Sequence, residues 1–104
     1  MNGNKKVKIS FVKGFFDADG SYRINQKKHD YRVRFGQVDK QVIVNLKTML
    51  ENLGFETSQI LGPYQYKEIG KPYYEVQMHG KSQVLKFNTM IKPCHPNKKL
   101  DEKL

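Results

Sequence analysis

Cysteine is nearly absent, tryptophan is absent, and acidic residues are scarce in this 104-residue chain. The single cysteine, Cys94, excludes an intramolecular disulfide and has no Cys partner at the spacing of a structural zinc site. No apolar run approaches the roughly 20 residues that span a bilayer. Met1 to Lys8 is polar and basic, without the apolar stretch of a signal peptide. The expectation is an intracellular protein in a reducing compartment, whether cytoplasm, nucleoid or organelle, with no membrane partner and no small-molecule cofactor. Repeats, low-complexity blocks and linkers are also missing, so residues 1–104 read as one domain, with 1–8 as a basic arm and 97–104 as a charged tail.

What is present is positive charge. Ten acidic residues face nineteen Lys and Arg, for a net charge of +9. Such an excess favours a polyanionic partner through counterion release, and nucleic acid is the commonest. At 38% hydrophobic and 12% aromatic the chain is too apolar to be disordered.

Residues 9–19, ISFVKGFFDAD, place Ile9, Phe11, Val12, Phe15 and Phe16 on a broad helical stripe. Ser10 is the candidate cap of its start and Gly20 its stop. Gly14 interrupts the stripe, at about 1 kcal/mol relative to alanine. Either another backbone approaches closely there, or the glycine makes room for Phe15 or Phe16. Two strands follow. Residues 21–27 alternate Tyr22 and Ile24 against Arg23, Asn25 and Lys27, and residues 31–35 alternate Tyr31, Val33 and Phe35 against Arg32 and Arg34. Lys28-His29-Asp30 is the turn between them. The non-core face of this hairpin is cationic and amide-bearing, with no acid.

Residues 41–53 form an amphipathic helix with Val42, Ile43, Leu46, Met49, Leu50 and Leu53 on one side, capped by Asp39 and ended by Gly54. A second hairpin is expected over 59–67 and 73–79 around Gly70-Lys71-Pro72. It turns Tyr74, Val76 and Met78 inward and Tyr73, Glu75 and Gln77 outward. Residues 82–91 make a third helix with Val84, Leu85 and Phe87 apolar, broken by Pro93 and Pro96. The order α-β-β-α-β-β-α predicts an α+β fold, with helices gathered on one face of an antiparallel sheet.

Residues 11–21, FVKGFFDADGS, resemble the LAGLIDADG motif of homing endonucleases at Gly14, Asp17, Ala18, Asp19 and Gly20, with Phe15 and Phe16 replacing the usual aliphatic pair. Asp-x-Asp-Gly also opens an EF-hand loop, but such a loop needs a glutamate at its twelfth position. Counted from Asp17, that position is Lys28, and the residues between alternate as a strand. The resemblance covers residues 9–99 and includes the order of elements after the motif.

Several expectations follow from the resemblance. The fold is that of the single-motif, homodimeric LAGLIDADG endonucleases, with a saddle-shaped sheet. The motif helix packs against a second copy through Phe11, Gly14, Phe15 and Ala18, which settles Gly14 as an interface residue. Asp19 is the metal ligand, with the Gly20 carbonyl nearby, and Asp17 is structural. An acid at a helix C-terminus opposes the helix dipole by a few tenths of a kcal/mol, which favours a functional reason for Asp19. The ion is Mg²⁺ or another divalent cation such as Mn²⁺. Asp39 matches a polar position near the hydrolytic water, beside its simpler role as a helix cap. Lys98 is the candidate basic residue near the scissile phosphate, with Lys92 and Lys99 as alternatives. Arg23, Asn25, Lys27, Arg32, Arg34, Gln65, Lys67, Tyr73 and Gln77 are the candidate contacts to double-stranded DNA. The implied activity is a metal-dependent double-strand break in a long palindromic or pseudo-palindromic site, serving intron or intein mobility. The alternative is a DNA- or RNA-binding protein of the same fold that does not cut, such as a maturase or regulator. A base-stacking RNA-binding sheet is disfavoured, because the aromatics of the first hairpin alternate away from the cations.

Overall fold

The computed structural model describes residues 3–65 and 70–93, with side chains from Lys5 onward. Its elements are α1 (Gly3–Asp19), β1 (Gly20–Asn25), a one-turn 3-10 helix at Gln26–Lys28, β2 (Asp30–Gln37), α2 (Lys40–Asn52), β3 (Leu61–Gln65), β4 (Pro72–His79) and α3 (Lys81–Ile91). The four strands form one antiparallel sheet in the order β1-β2-β4-β3. The α+β class, the order of elements and the two-layer arrangement are those expected from the periodicity.

Strand alternation decides which face the helices cover. Cross-strand pairing aligns Tyr22 with Val33 and Met78, and Phe35 with Val76, and all five are buried. Helical residues close over them: Val12 and Phe16 from α1, Ile43, Leu46 and Leu50 from α2, and Val84, Phe87 and Ile91 from α3. Phe87 is the hub, with ring centroids 5.1 Å from Phe16, 5.8 Å from Phe55, 5.9 Å from Phe35 and 6.2 Å from Tyr22. The Tyr22 hydroxyl donates to Asn88 Oδ1 at 3.0 Å, so α3 is tied to β1 by one polar contact inside an otherwise apolar joint.

The boundaries differ in informative ways. Ser10 does not cap α1; the helix starts at Gly3 and Ser10 lies exposed inside it. Lys5 and Lys6 are good helix formers, and Val7 extends the apolar spacing one turn upstream of Phe11. Residues 3–8 are therefore helix and not an arm. At its other end α1 runs straight into β1 through Gly20, where an added Cβ would lie 2.4 Å from the Phe16 ring and 2.9 Å from its Cα. The motif glycine is thus required by the tightness of the helix-to-strand joint. β2 begins at Asp30, one residue earlier than the alternation suggested, and this moves an acid from the turn into the sheet.

Candidate functional site

The sheet face opposite the helices carries the cross-strand rows Asn25-Asp30, Arg23-Arg32-His79, Ser21-Arg34-Gln77, Gly36-Glu75-Leu61 and Tyr73-Tyr64. Most of the expected polar residues share this face. They are not, however, a field of bare cations. Asp30 lies on it and takes Arg32 Nε at 2.7 Å, and Glu75 takes an Arg34 guanidinium nitrogen at 2.6 Å. The acid-free face expected of the first hairpin is corrected by Asp30, whereas Glu75 lies outward as the second hairpin's alternation expects. The acids come from the strand end and from the neighbouring hairpin, which single-strand alternation does not connect.

Glu75 is only 2% exposed although the sequence turns it away from the core. The Tyr73 ring shields it by lying across Gly36, where an added Cβ would meet that ring at 2.4 Å. The Tyr73 hydroxyl and the Arg34 guanidinium both donate to Glu75 Oε2, and the Gln77 amide donates to Oε1 at 2.8 Å. Burial pushes the Glu75 carboxyl up. The hydrogen bonds from Tyr73, Arg34 and Gln77, with the Arg34 charge, outweigh it and leave the group below its usual 4.5. A depressed folded-state value means stability present above pH 4.5 and lost as pH falls through that lower value. Glu75→Gln is therefore expected to be less stable at pH 7 and to lose less further stability on acidification to about pH 3. Parallel melting curves across that range would contradict this assignment.

The other candidates sort by position. Arg23 is exposed, and no polar or charged partner engages it among the described residues. Asn25 is engaged locally, its side-chain oxygen accepting from Lys28 N–H at 3.3 Å. Lys27 lies in the 3-10 turn beyond the strand, and is exposed. Gln65 does not share the polar face: it pairs with Pro72, while Tyr64 pairs with Tyr73. A register shift between Leu61 and Tyr64 exchanges the two, and the Tyr64 and Tyr73 rings stand 6.2 Å apart. Lys67, Lys98 and Lys99 lie outside the described residues. Lys92 is the left-handed residue that ends α3.

Asp19 is exposed at the end of α1, and among the described residues no hydrogen bond or ion pair engages its carboxylate. Asp17, two residues earlier, is half-buried and engaged. Asp19 lines a concavity of about 350 Å³ with Ser21, Arg34, Gln37, Tyr73 and Glu75. Asp39 is not part of that lining. Its carboxylate accepts from Gln41 N–H at 2.9 Å and caps α2. Gln37 occupies the cavity instead, with its Oε1 anchored on Val38 N–H at 2.9 Å. Sequence spacing did not single out Gln37, and only the location of the strand end does so. Asp39→Ala is expected to destabilise the fold by about 1 kcal/mol, with Asn restoring most of it, because asparagine caps equally well. A cleavage defect in the asparagine variant at full stability would instead give Asp39 a chemical role.

Oxygen donors at an exposed helix end suit a hard divalent cation. Among the described residues no three His, Cys, Asp or Glu converge on one point, and Asp19 offers one unengaged carboxylate at the end of α1, next in sequence to Gly20.

The last surface is on α1. Val7, Phe11, Gly14 and Ala18 recur at helical spacing and are exposed, Val7 by 66% and Phe11 by 45%. Phe15 is half-buried between Phe11 and Phe35, at 6.4 and 5.9 Å. A Cβ added at Gly14 would meet nothing within 4 Å, so no packing among the described residues requires a glycine there.

Comparison with known proteins agrees with this architecture. Over 85 residues the chain is 27% identical to the ATP-dependent DNA helicase Hel308 of Thermococcus kodakarensis, covering 79% of this chain and 8% of the helicase. Over 88 residues it is 34% identical to a probable translation initiation factor IF-2 of Methanocaldococcus jannaschii, covering 83% of this chain and 7% of that protein. The chain thus spans less than a tenth of either relative. No solved structure gives a significant match. The model of the LAGLIDADG-like domain matches residues 6–92, from the exposed stripe of α1 to the end of α3, and the chain belongs to that family.

Proposed function

We propose that this chain is one subunit of a homing endonuclease, which dimerises along α1 and makes a metal-dependent double-strand break in a palindromic or pseudo-palindromic DNA site. The observation that carries the reading is where Asp19 stands. It ends the helix bearing the exposed Val7-Phe11-Gly14-Ala18 stripe, and it lines a cavity shared with Arg34 of the polar sheet face. Pairing two stripes about a two-fold axis brings two Asp19 carboxylates together and extends two sheet faces along one duplex. Each face then covers roughly one turn, about 10 bp.

A divalent cation, Mg²⁺ or Mn²⁺, supplies charge stabilisation at the phosphate and lowers the pKa of the attacking water. Asp19 and the Gly20 carbonyl would hold that ion. Gln37 orients water in the cavity through its amide, and Lys98, or one of Lys92 and Lys99, approaches the scissile phosphate. Arg23, Arg32, Arg34, Lys27, Gln77 and Tyr73 face the DNA, with Tyr64 on the face that alternation assigns to Gln65, and Lys67 is a further candidate contact. Similarity confined to a small part of two otherwise unlike proteins supports a module that moves between genes, as intron or intein mobility requires.

The test is a library of palindromic duplexes incubated with the protein, in Mg²⁺ and in chelator. Cleavage of both strands only in Mg²⁺ is expected. Tight binding to one site without cleavage in either condition would favour a maturase or regulator, and failure to bind duplex DNA would dismiss both.

A further inference from the structure

Phosphate affinity by itself selects against acid on a DNA-binding face, because a carboxylate repels the backbone it should attract. Glu75 nevertheless stands in the middle of the polar sheet face, on β4 opposite Gly36 of β2. It is not there to fill the core, which lies on the other side of the sheet. Both of its oxygens are occupied: Oε2 by Arg34 and the Tyr73 hydroxyl, Oε1 by the Gln77 amide. The chain of contacts runs on, with Gln77 Oε1 accepting from Arg32 at 3.5 Å and Arg32 Nε donating to Asp30 at 2.7 Å. Two arginines on neighbouring rows of the sheet are thus tied to one buried carboxylate. Arg34 still has 23% of its side-chain surface exposed on the side where DNA would lie.

Resting on the nuclease reading above, we infer that Glu75 is a specificity-determining positioning residue. Its carboxylate holds Arg34, Tyr73 and, through Gln77, Arg32 as one pre-ordered unit that reads a guanine edge in the major groove. A guanidinium reads guanine N7 and O6 through a planar fork, and the reading is sharp only when that fork is held in one orientation. A lysine-rich surface with no acid binds any phosphate; an arginine steadied by a carboxylate surrenders some of that attraction and gains a fixed direction. The glycine at position 36 belongs to the same unit, since it admits the Tyr73 ring that covers the carboxylate.

The test compares the unaltered protein with Glu75→Gln and Tyr73→Phe on a selected site, on all its single-base variants, and on random-sequence duplex. Glu75→Gln is expected to bind random duplex as tightly as the original or more tightly, because a negative charge is gone. Its preference at one base pair of each half-site should fall about tenfold. Tyr73→Phe removes one of three donors and should show a smaller loss at the same base pair. It also carries the test if Glu75→Gln fails to fold. A purely structural Glu75 would weaken binding uniformly over all variants, or leave the base preference unchanged in a folded protein, and either result overturns the inference. Absence of duplex binding by the unaltered protein would overturn the nuclease reading itself, and this inference with it.

Discussion

Asp19→Asn is expected to bind its DNA site at least as well as the unaltered protein and to cut it roughly a thousandfold more slowly. The size follows from the several kcal/mol by which a bound cation lowers the barrier to phosphodiester hydrolysis. The direction of the binding effect follows from position. Asp19 is exposed and, among the described residues, unengaged, so neutralising it breaks no contact and removes one charge that repels phosphate. Stability should hold or rise slightly, since the acid opposes the helix dipole at the end of α1. Asp17 provides the contrast: it is half-buried and engaged, and Asp17→Asn should lower the melting temperature. Cleavage rates, binding constants and melting curves on the two variants separate the roles. An Asp19→Asn protein that cuts at the original rate would remove Asp19 from the chemistry altogether.

Much of the fold is legible in the chain because its alternation is clean. Tyr22, Val33, Phe35, Val76 and Met78 declare one sheet face at period two, and Val84 and Phe87 with Ile43, Leu46 and Leu50 declare the helices that cover it. The motif implies a helix end at Asp19, and α1 ends there. What the sequence conceals is whatever depends on neighbours distant along the chain. Nothing in the spacing links Arg34 to Glu75, because their contact arises only when β2 pairs with β4. The shift between Leu61 and Tyr64 inverts the end of β3, so Tyr64 takes the face that alternation assigns to Gln65. The residue pattern alone leaves Gly14 open between a close backbone approach and room for Phe15 or Phe16, and the motif resemblance favours the interface. The empty space around its missing Cβ adds that nothing among the described residues demands a glycine there.

Gly14→Leu turns that empty space into a measurement. The isolated chain should become more stable, because a helix-interior glycine gives way to a strong helix former, worth about 0.8–1 kcal/mol. Among the described residues nothing stands within 4 Å of the new Cβ to oppose the gain. A second α1 packed against the stripe reverses the sign. Small residues at Gly14 and Ala18, one turn apart, allow close approach of two helix backbones, and a leucine there forces them apart. Overpacking costs about 1–3 kcal/mol at each site, and two-fold symmetry imposes it twice. Association should weaken by about 2–6 kcal/mol, which is roughly thirtyfold to twenty-thousandfold in the dissociation constant. With the proposed dimer, sedimentation is expected to show the original associating and the variant remaining a folded monomer at the same concentration. If the proposed dimer brings two Asp19 carboxylates to the two strands, double-strand cleavage would fall at low protein concentration and recover as concentration rises. A variant that is more stable and equally dimeric would separate the stripe from the interface, and the second Asp19 would have to arrive by another surface.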